Sequence, residues 1–156
     1  MSEAGLRGDE GPARLAAWGR VRAPRRALGV AGDGHPPLTV TVGGAAPGVR
    51  LVAGDVEALP FDNGAFDLVT CHLAAHRFPH AALAVREIQR VLAPGGSFLV
   101  AEPLAPDDDA TAARGPGTYR RPEWHAFMRA AGLTVMQEET IDAASDRLIL
   151  IRAEKD

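Results

Sequence analysis

The sequence has few cysteines, no secretory signal pattern and no long apolar run, which are features of secreted and membrane proteins. Cysteine occurs once, at Cys71, and lysine once, at Lys155. One cysteine excludes an internal disulfide, and the first residues lack the charged, apolar and small-residue order of a secretory signal, so we expect a cytoplasmic protein. No apolar run approaches the roughly 18 to 20 residues of a membrane-spanning helix, so we expect no contact with a membrane.

The sequence also has no excess of positive charge. The formal net charge is −3 and the pI is about 5.9, so no overall field attracts nucleic acid. Arginines are frequent among residues 7–26, but Trp18 is the only aromatic residue between them, whereas single-stranded nucleic-acid sites use several stacking rings. We therefore expect no nucleic-acid partner and favour a small-molecule substrate, with homodimer formation left open.

The composition divides the chain of 156 residues into two parts. Residues 1–48 hold ten of the 17 glycines and contain no Ile, Phe or Tyr, so this part is expected to be a partly disordered or irregular arm that buries little. Only 27–30 and 38–42 have strand character within it. Residues 49–156 are predicted to form one α/β domain.

Apolar runs and amphipathic segments alternate in the second part, as in a β/α chain. Strands are predicted at 49–53, 65–71 and 97–102. The strand at 65–71 is nearly continuous in apolar character, with Asp67 near its start, and is therefore predicted to be parallel and covered on both faces. A helix is predicted at 80–92, ended by Pro94-Gly95-Gly96, and another from Pro122 to Gly132. Residues 133–138 and 147–153 are predicted to close the sheet as an antiparallel hairpin.

Three motifs follow one another at compact spacing: GDVEALPF at 54–61, FDLV at 66–69 and RVLAPGG at 90–96. Together they resemble the class I S-adenosylmethionine-dependent methyltransferases, of the small-molecule type related to ubiquinone and menaquinone biosynthesis enzymes. The resemblance implies a Rossmann-like α/β sheet, S-adenosylmethionine as the cofactor and methyl transfer to a small-molecule acceptor.

The resemblance also assigns roles to residues at the ends of the strands. The carboxylate of Asp55 would accept a hydrogen bond from the adenine amine, and the backbone N–H of Val56 would meet a ring nitrogen. The backbone of Cys71 would line the cofactor cleft, while its thiol is interpreted as packed and not nucleophilic. The alternative for Asp55 is a turn residue or helix cap, which is common for Gly-Asp pairs.

Histidines follow the strand at 65–71, where the resembled family has its acceptor pocket. His76 is the first candidate for the general base and His72 the second, because a neutral imidazole can take a proton from the acceptor. Surface histidines without a catalytic role are the alternative. The spacing of His72, His76 and His80 also suggests three metal ligands on one helix face, but Pro79 argues against that helix, so no metal site is predicted.

The family pattern is poorly matched before residue 49, so the fold is expected to be degenerate, truncated or reduced in its N-terminal half. Of the glycine-rich turn that would hold the donor, Gly32 and Gly34 alone keep the alternation. Too few residues separate 27–30 from 38–42 for a parallel crossover, so these strands are expected to form an antiparallel hairpin if they pair. A non-catalytic, methyltransferase-like binding or scaffolding subunit is therefore the second hypothesis. Glu102, at the end of its strand, is expected to orient substrate or to bind solvent.

Overall fold

The structure is a computed structural model that describes residues 26–31, 38–44, 50–75, 78–105, 118–142 and 147–156. These residues form one sheet and two helices. The strands are β1 (Arg26–Ala31), β2 (Leu38–Gly44), β3 (Arg50–Gly54), β4 (Phe66–His72), β5 (Leu92–Pro103), β6 (Leu133–Asp142) and β7 (Arg147–Lys155). The helices are α1 (Ala81–Val91) and α2 (Arg121–Ala131).

The strands lie in the order β3-β2-β1-β4-β5-β7-β6. Strand β4 is parallel to both β1 and β5, which confirms the prediction from its apolar sequence. Strands β6 and β7 form the expected antiparallel hairpin, and β7 runs antiparallel to β5. The α/β fold with a C-terminal hairpin is therefore confirmed.

The N-terminal strands pair as the short connection predicted. Strand β1 is antiparallel to β2, and β2 is antiparallel to β3, so β3 again runs in the direction of β1. The expectation that residues 1–48 bury little is wrong for β1, because Leu28 and Val30 are 0% and 2% exposed. Strand β1 lies beside β4 near the middle of the sheet, and this position buries its alternate side chains despite the glycine-rich composition around it. The domain boundary at residue 48 stays a prediction.

The first helix ends earlier than its sequence suggested. It ends at Val91, and Leu92 already has extended backbone angles, φ −72° and ψ 135°. The predicted range, 80–92, is therefore confirmed to within one residue at each end. Leu92 pairs with Phe66 of β4, so strand pairing competes with the last helical turn. The left-handed conformation predicted for this glycine pair is present at Gly95, with φ 75°.

The second helix agrees more closely with its sequence signals. Pro122 lies in its first turn, the Glu123 side chain accepts the backbone N–H of Arg120 at 2.8 Å, and Gly132 ends it with φ 77°. Both helices pack on one large core cluster with the sheet, through Val85 and Ile88 of α1 and Trp124 and Met128 of α2. No helix among the described residues is long and apolar enough to cross a membrane.

Candidate functional site

The carboxyl ends of five strands point to one edge of the sheet, because β1, β3, β4, β5 and β6 run in the same direction. Ligands of open α/β sheets bind at this edge. Asp55 follows β3, His72 ends β4 and Glu102 lies near the end of β5. The structure therefore places three chemically active side chains of the sequence analysis at the same edge.

Asp55 begins a tight turn after β3. Its Oδ1 accepts the backbone N–H of Glu57 at 2.8 Å, and its backbone carbonyl accepts the N–H of Ala58 at 3.0 Å. The turn-residue interpretation therefore describes what Oδ1 does in this structure. Asp55 is exposed, while the Val56 side chain is fully buried and anchors the turn to the core. The adenine contact of Asp55 and Val56 stays a prediction.

An ion pair on α1 holds the loop that follows this turn. Arg90 donates from Nη1 to the carbonyl of Phe61 at 2.8 Å and from Nη2 to the carbonyl of Leu59 at 2.9 Å. Glu87 accepts the N–H of Leu59 at 2.8 Å and pairs with Arg90 Nε at 2.7 Å. The hydrogen bond from Arg90 is the main reason why the pKa of Glu87 is lowered. The sequence analysis missed this network, although Glu87 and Arg90 have the i, i+3 spacing at which helical side chains pair.

Glu102 is buried, with 1% of its surface exposed. Its Oε1 accepts the backbone N–H of Ala74 at 2.8 Å and that of Ala75 at 2.9 Å, and it lies 3.3 Å from the Sγ of Cys71. The expectation that Glu102 binds solvent is therefore wrong, because its carboxylate binds the chain segment after β4. Burial raises the pKa of this carboxyl group above its ordinary value.

Cys71 is a packed residue. Burial, with the adjacent Glu102 carboxylate, raises the pKa of its thiol well above the ordinary value, so a reactive thiolate is disfavoured. This agrees with the interpretation of Cys71 as non-nucleophilic. Its backbone pairs with Val30 of β1 and Val100 of β5, and its role in lining a cofactor cleft stays a prediction.

His72 and His80 belong to different elements. His72 ends β4, and partial burial lowers the pKa of its imidazole, which favours the neutral form that a general base requires. His80 precedes α1, and its Nδ1 lies 2.8 Å from Oε1 of Glu57. A helix that carries all three histidines on one face is therefore excluded, and no group of three metal-ligating side chains occurs within the described ranges.

Three residues of the predicted site lie outside the described residues, namely His76, Gly32 and Gly34. Their assigned roles stay predictions. A groove of about 550 Å³ lies between the two helices, and none of the predicted site residues lines it. It is lined by Glu57, Leu83, Arg86, Glu87, Gln89, Arg90, Ala130 and Ala131.

The strand order and the shared edge at the carboxyl ends match the Rossmann-like sheet of class I methyltransferases. Residues 30–100 match a family model described as a methyltransferase domain. The matched stretch begins in the last two residues of β1 and ends within β5. The solved structure of the YcgJ protein from Bacillus subtilis superposes with a TM-score of 0.54 at 23% identity, over 65% of this chain and 69% of that one. A Burkholderia thailandensis 1,6-didemethyltoxoflavin-N1-methyltransferase, solved with S-adenosylhomocysteine, gives 0.54 at 21% identity, over 67% and 50% of the two chains.

Curated relatives show higher identity over shorter stretches. The uncharacterized methyltransferase YcgJ of Bacillus subtilis is 47% identical over 60 residues, which are 38% of this chain and 24% of the relative. A phthiotriol/phenolphthiotriol dimycocerosates methyltransferase of Mycobacterium tuberculosis is 36% identical over 97 residues, which are 62% of this chain and 32% of the relative. The chain thus spans about a quarter to a third of the length of these relatives.

Proposed function

We propose that this protein transfers a methyl group from S-adenosylmethionine to a small-molecule acceptor in the cytoplasm. The observation that carries the proposal is the methyltransferase-domain match over residues 30–100, a stretch that forms the strands whose carboxyl ends meet at one edge. The finer assignment, to the small-molecule type related to ubiquinone and menaquinone enzymes, rests on the motifs at 54–61 and 90–96. The mycobacterial and Burkholderia relatives are likewise named for lipid or small-molecule acceptors.

The roles of the residues follow from their places at this edge. Asp55 accepts the adenine amine, the N–H of Val56 donates to the ring, and the backbone of Cys71 lines the cleft. Gly32 and Gly34 approach the amino-acid portion of the donor. The bound donor supplies a methyl group on an already activated sulfonium, so the protein contributes mainly alignment of the acceptor. His76, or His72 in its place, takes the proton that the acceptor loses.

Titration calorimetry with S-adenosylhomocysteine tests the donor site. Asp55→Ala removes a charged hydrogen-bond acceptor, which is expected to weaken binding about ten- to a hundredfold. Asp55→Asn keeps a side-chain oxygen that can accept the N–H of Glu57, so the turn is retained and only the charge is lost. Comparing the two variants therefore separates the effect of the turn on binding from the effect of the charge. Asp142→Asn is the matched control and should leave the affinity unchanged, because this exposed carboxylate ends β6, which lies at the opposite end of the strand order from β3.

Two results would contradict this proposal. The first is a folded wild-type protein that gives no binding heat at millimolar ligand. The second is an Asp55→Ala variant that binds as tightly as Asp142→Asn does, because the carboxylate would then lie outside the donor site.

A second function, a non-catalytic binding or scaffolding subunit, is favoured by the N-terminal hairpin. Only six residues, 32–37, connect β1 to its antiparallel neighbour β2, where the resembled family has a glycine-rich turn and a crossover helix. Strand β3 lies at the edge of the sheet and could pair with a partner or with a second copy of this chain. A Haloferax volcanii neighbour was itself solved in complex with a Trm112 methyltransferase activator. Light scattering that shows a monomer, together with methyl transfer by that monomer, would reject this second function.

A further inference from the structure

The segment directly after β4 has an unusual backbone. Leu73 is the only non-glycine residue with positive φ among the described residues, at 50°. A side chain in this left-handed region meets its own backbone, so the conformation carries a steric cost and persists only where neighbouring contacts enforce it. The N–H of Leu73 donates to the carbonyl of Ala101 at 3.0 Å, which joins this residue to β5.

The next two residues are held by Glu102. A single carboxylate oxygen, Oε1, accepts both the Ala74 and the Ala75 N–H groups. The two alanines are fully buried, and solvent has no access from their side to replace these bonds. The left-handed turn at Leu73 therefore lies between two contacts with β5, one through backbone and one through the Glu102 side chain.

A carboxylate at this depth is expensive for the fold, because burial disfavours the charged form. An apolar side chain could fill the same volume, but it would leave two buried N–H groups without an acceptor. The segment after β4 thus requires a hydrogen-bond acceptor that points at its two N–H groups, and Glu102 provides it. This segment begins at the carboxyl edge of the sheet, beside His72.

We propose that Glu102 is a positioning residue: it fixes residues 73–75 in their left-handed turn and so shapes the wall of the ligand cleft at the carboxyl ends of β4 and β5. The inference rests on the proposed function for the identity of the ligand, but the ordering of residues 73–75 is independent of it. Glu102 acts through the backbone of Ala74 and Ala75 and does not itself touch the donor or the acceptor.

Two substitutions at this position separate positioning from packing. Glu102→Gln retains an oxygen acceptor, whereas Glu102→Leu retains an apolar stem without one. Amide hydrogen exchange of Ala74 and Ala75, followed by NMR, reports the turn, and calorimetry with S-adenosylhomocysteine reports the cleft. We expect Glu102→Leu to lose at least about tenfold in exchange protection and in affinity, and Glu102→Gln to restore most of both.

A control variant accounts for a general loss of stability. Ile151→Val removes one buried methyl group from β7, which pairs with β5 on the side away from β4. It is expected to lower the unfolding temperature. Amide exchange at residues 74 and 75 and the affinity for S-adenosylhomocysteine should both keep their wild-type values. If Glu102→Leu does not fold, Glu102→Asp replaces it in the experiment. The shorter side chain moves the carboxylate away from the two N–H groups, so we expect the same losses of exchange protection and of ligand affinity.

Unchanged protection of Ala74 and Ala75 in Glu102→Leu, or in Glu102→Asp, would overturn the proposal. So would a Glu102→Gln variant as defective as Glu102→Leu, since an acceptor alone would then not suffice. Lost protection with unchanged ligand affinity would also overturn it, because the turn would have no effect on the cleft. If the wild-type protein binds no S-adenosylhomocysteine, changed exchange still supports the ordering of 73–75, whereas the donor assignment under the proposed function fails.

Discussion

Arg90→Met should destabilise the protein through the loop after the Asp55 turn. Methionine keeps an apolar stem of similar reach, so the change removes mainly the guanidinium group. That group donates to the carbonyls of Leu59 and Phe61, and it also donates to Oδ1 of Asn63 at 2.8 Å. The loop loses all three contacts at once, while Glu87 still accepts the Leu59 N–H.

The size of the effect follows from these contacts. A hydrogen bond to a charged group contributes about 1.5 to 3 kcal/mol when it is buried, but the Arg90 side chain is 31% exposed and water replaces part of what is lost. We therefore expect the free energy of unfolding to fall by about 2 to 4 kcal/mol in total. For a domain of this size that corresponds to a fall of roughly 5 to 15 °C in the unfolding temperature.

Urea unfolding followed by circular dichroism measures this change. Arg86→Met is the matched control, because Arg86 lies one turn earlier on the same helix and is exposed, so its cost should stay within about 0.5 kcal/mol. Arg90→Lys should rescue only part of the loss, since an ammonium group lacks the planar fork that reaches two carbonyls. Equal costs for Arg90→Met and Arg86→Met would refute the reasoning.

Three further predictions concern the neighbourhood of the site. Arg90 lowers the pKa of Glu87 in the folded state, so the stabilisation by Glu87 is present above its ordinary pKa of 4.5 and is lost as the pH falls through the lowered value. Urea unfolding of Glu87→Gln should therefore give a lower free energy of unfolding than the wild type at pH 7, and the difference should narrow in acid. A difference that does not change with pH would contradict the pairing. Cys71 should react with a thiol reagent only as fast as the protein unfolds, and rapid labelling of the native protein would disprove its burial. Leu73→Gly should change the free energy of unfolding by less than about 1 kcal/mol, because relief of the left-handed strain offsets the extra freedom of glycine in the unfolded chain. Leu73→Val should lower the free energy of unfolding more than Leu73→Gly does. Equal losses in both variants would show that the backbone is not strained.

The elements that sequence predicted well are those with a strong local pattern. The apolar run of β4 indicated a parallel strand, and the short polar stretch between the strands predicted at 133–138 and 147–153 indicated the hairpin of β6 and β7. The antiparallel pairing of β1 with β2 followed from the length of the connection alone, since six residues leave no space for a crossover helix. Helix α1 ends one residue before its predicted end, because Leu92 pairs with Phe66, which lies more than twenty residues earlier in the chain.

Sequence by itself determined the order of the elements, the Asp55 turn at the end of a strand and the resemblance carried by the motifs from 54 to 96. These depend on residues close together in the chain, whose spacing sets the backbone conformation. Only the tertiary structure decided that Glu102 binds Ala74 and Ala75, and that Arg90 binds the loop at Leu59. Those partners are 28, 27 and 31 residues apart, and each donor binds the acceptor that the packed sheet and helix place within hydrogen-bond distance.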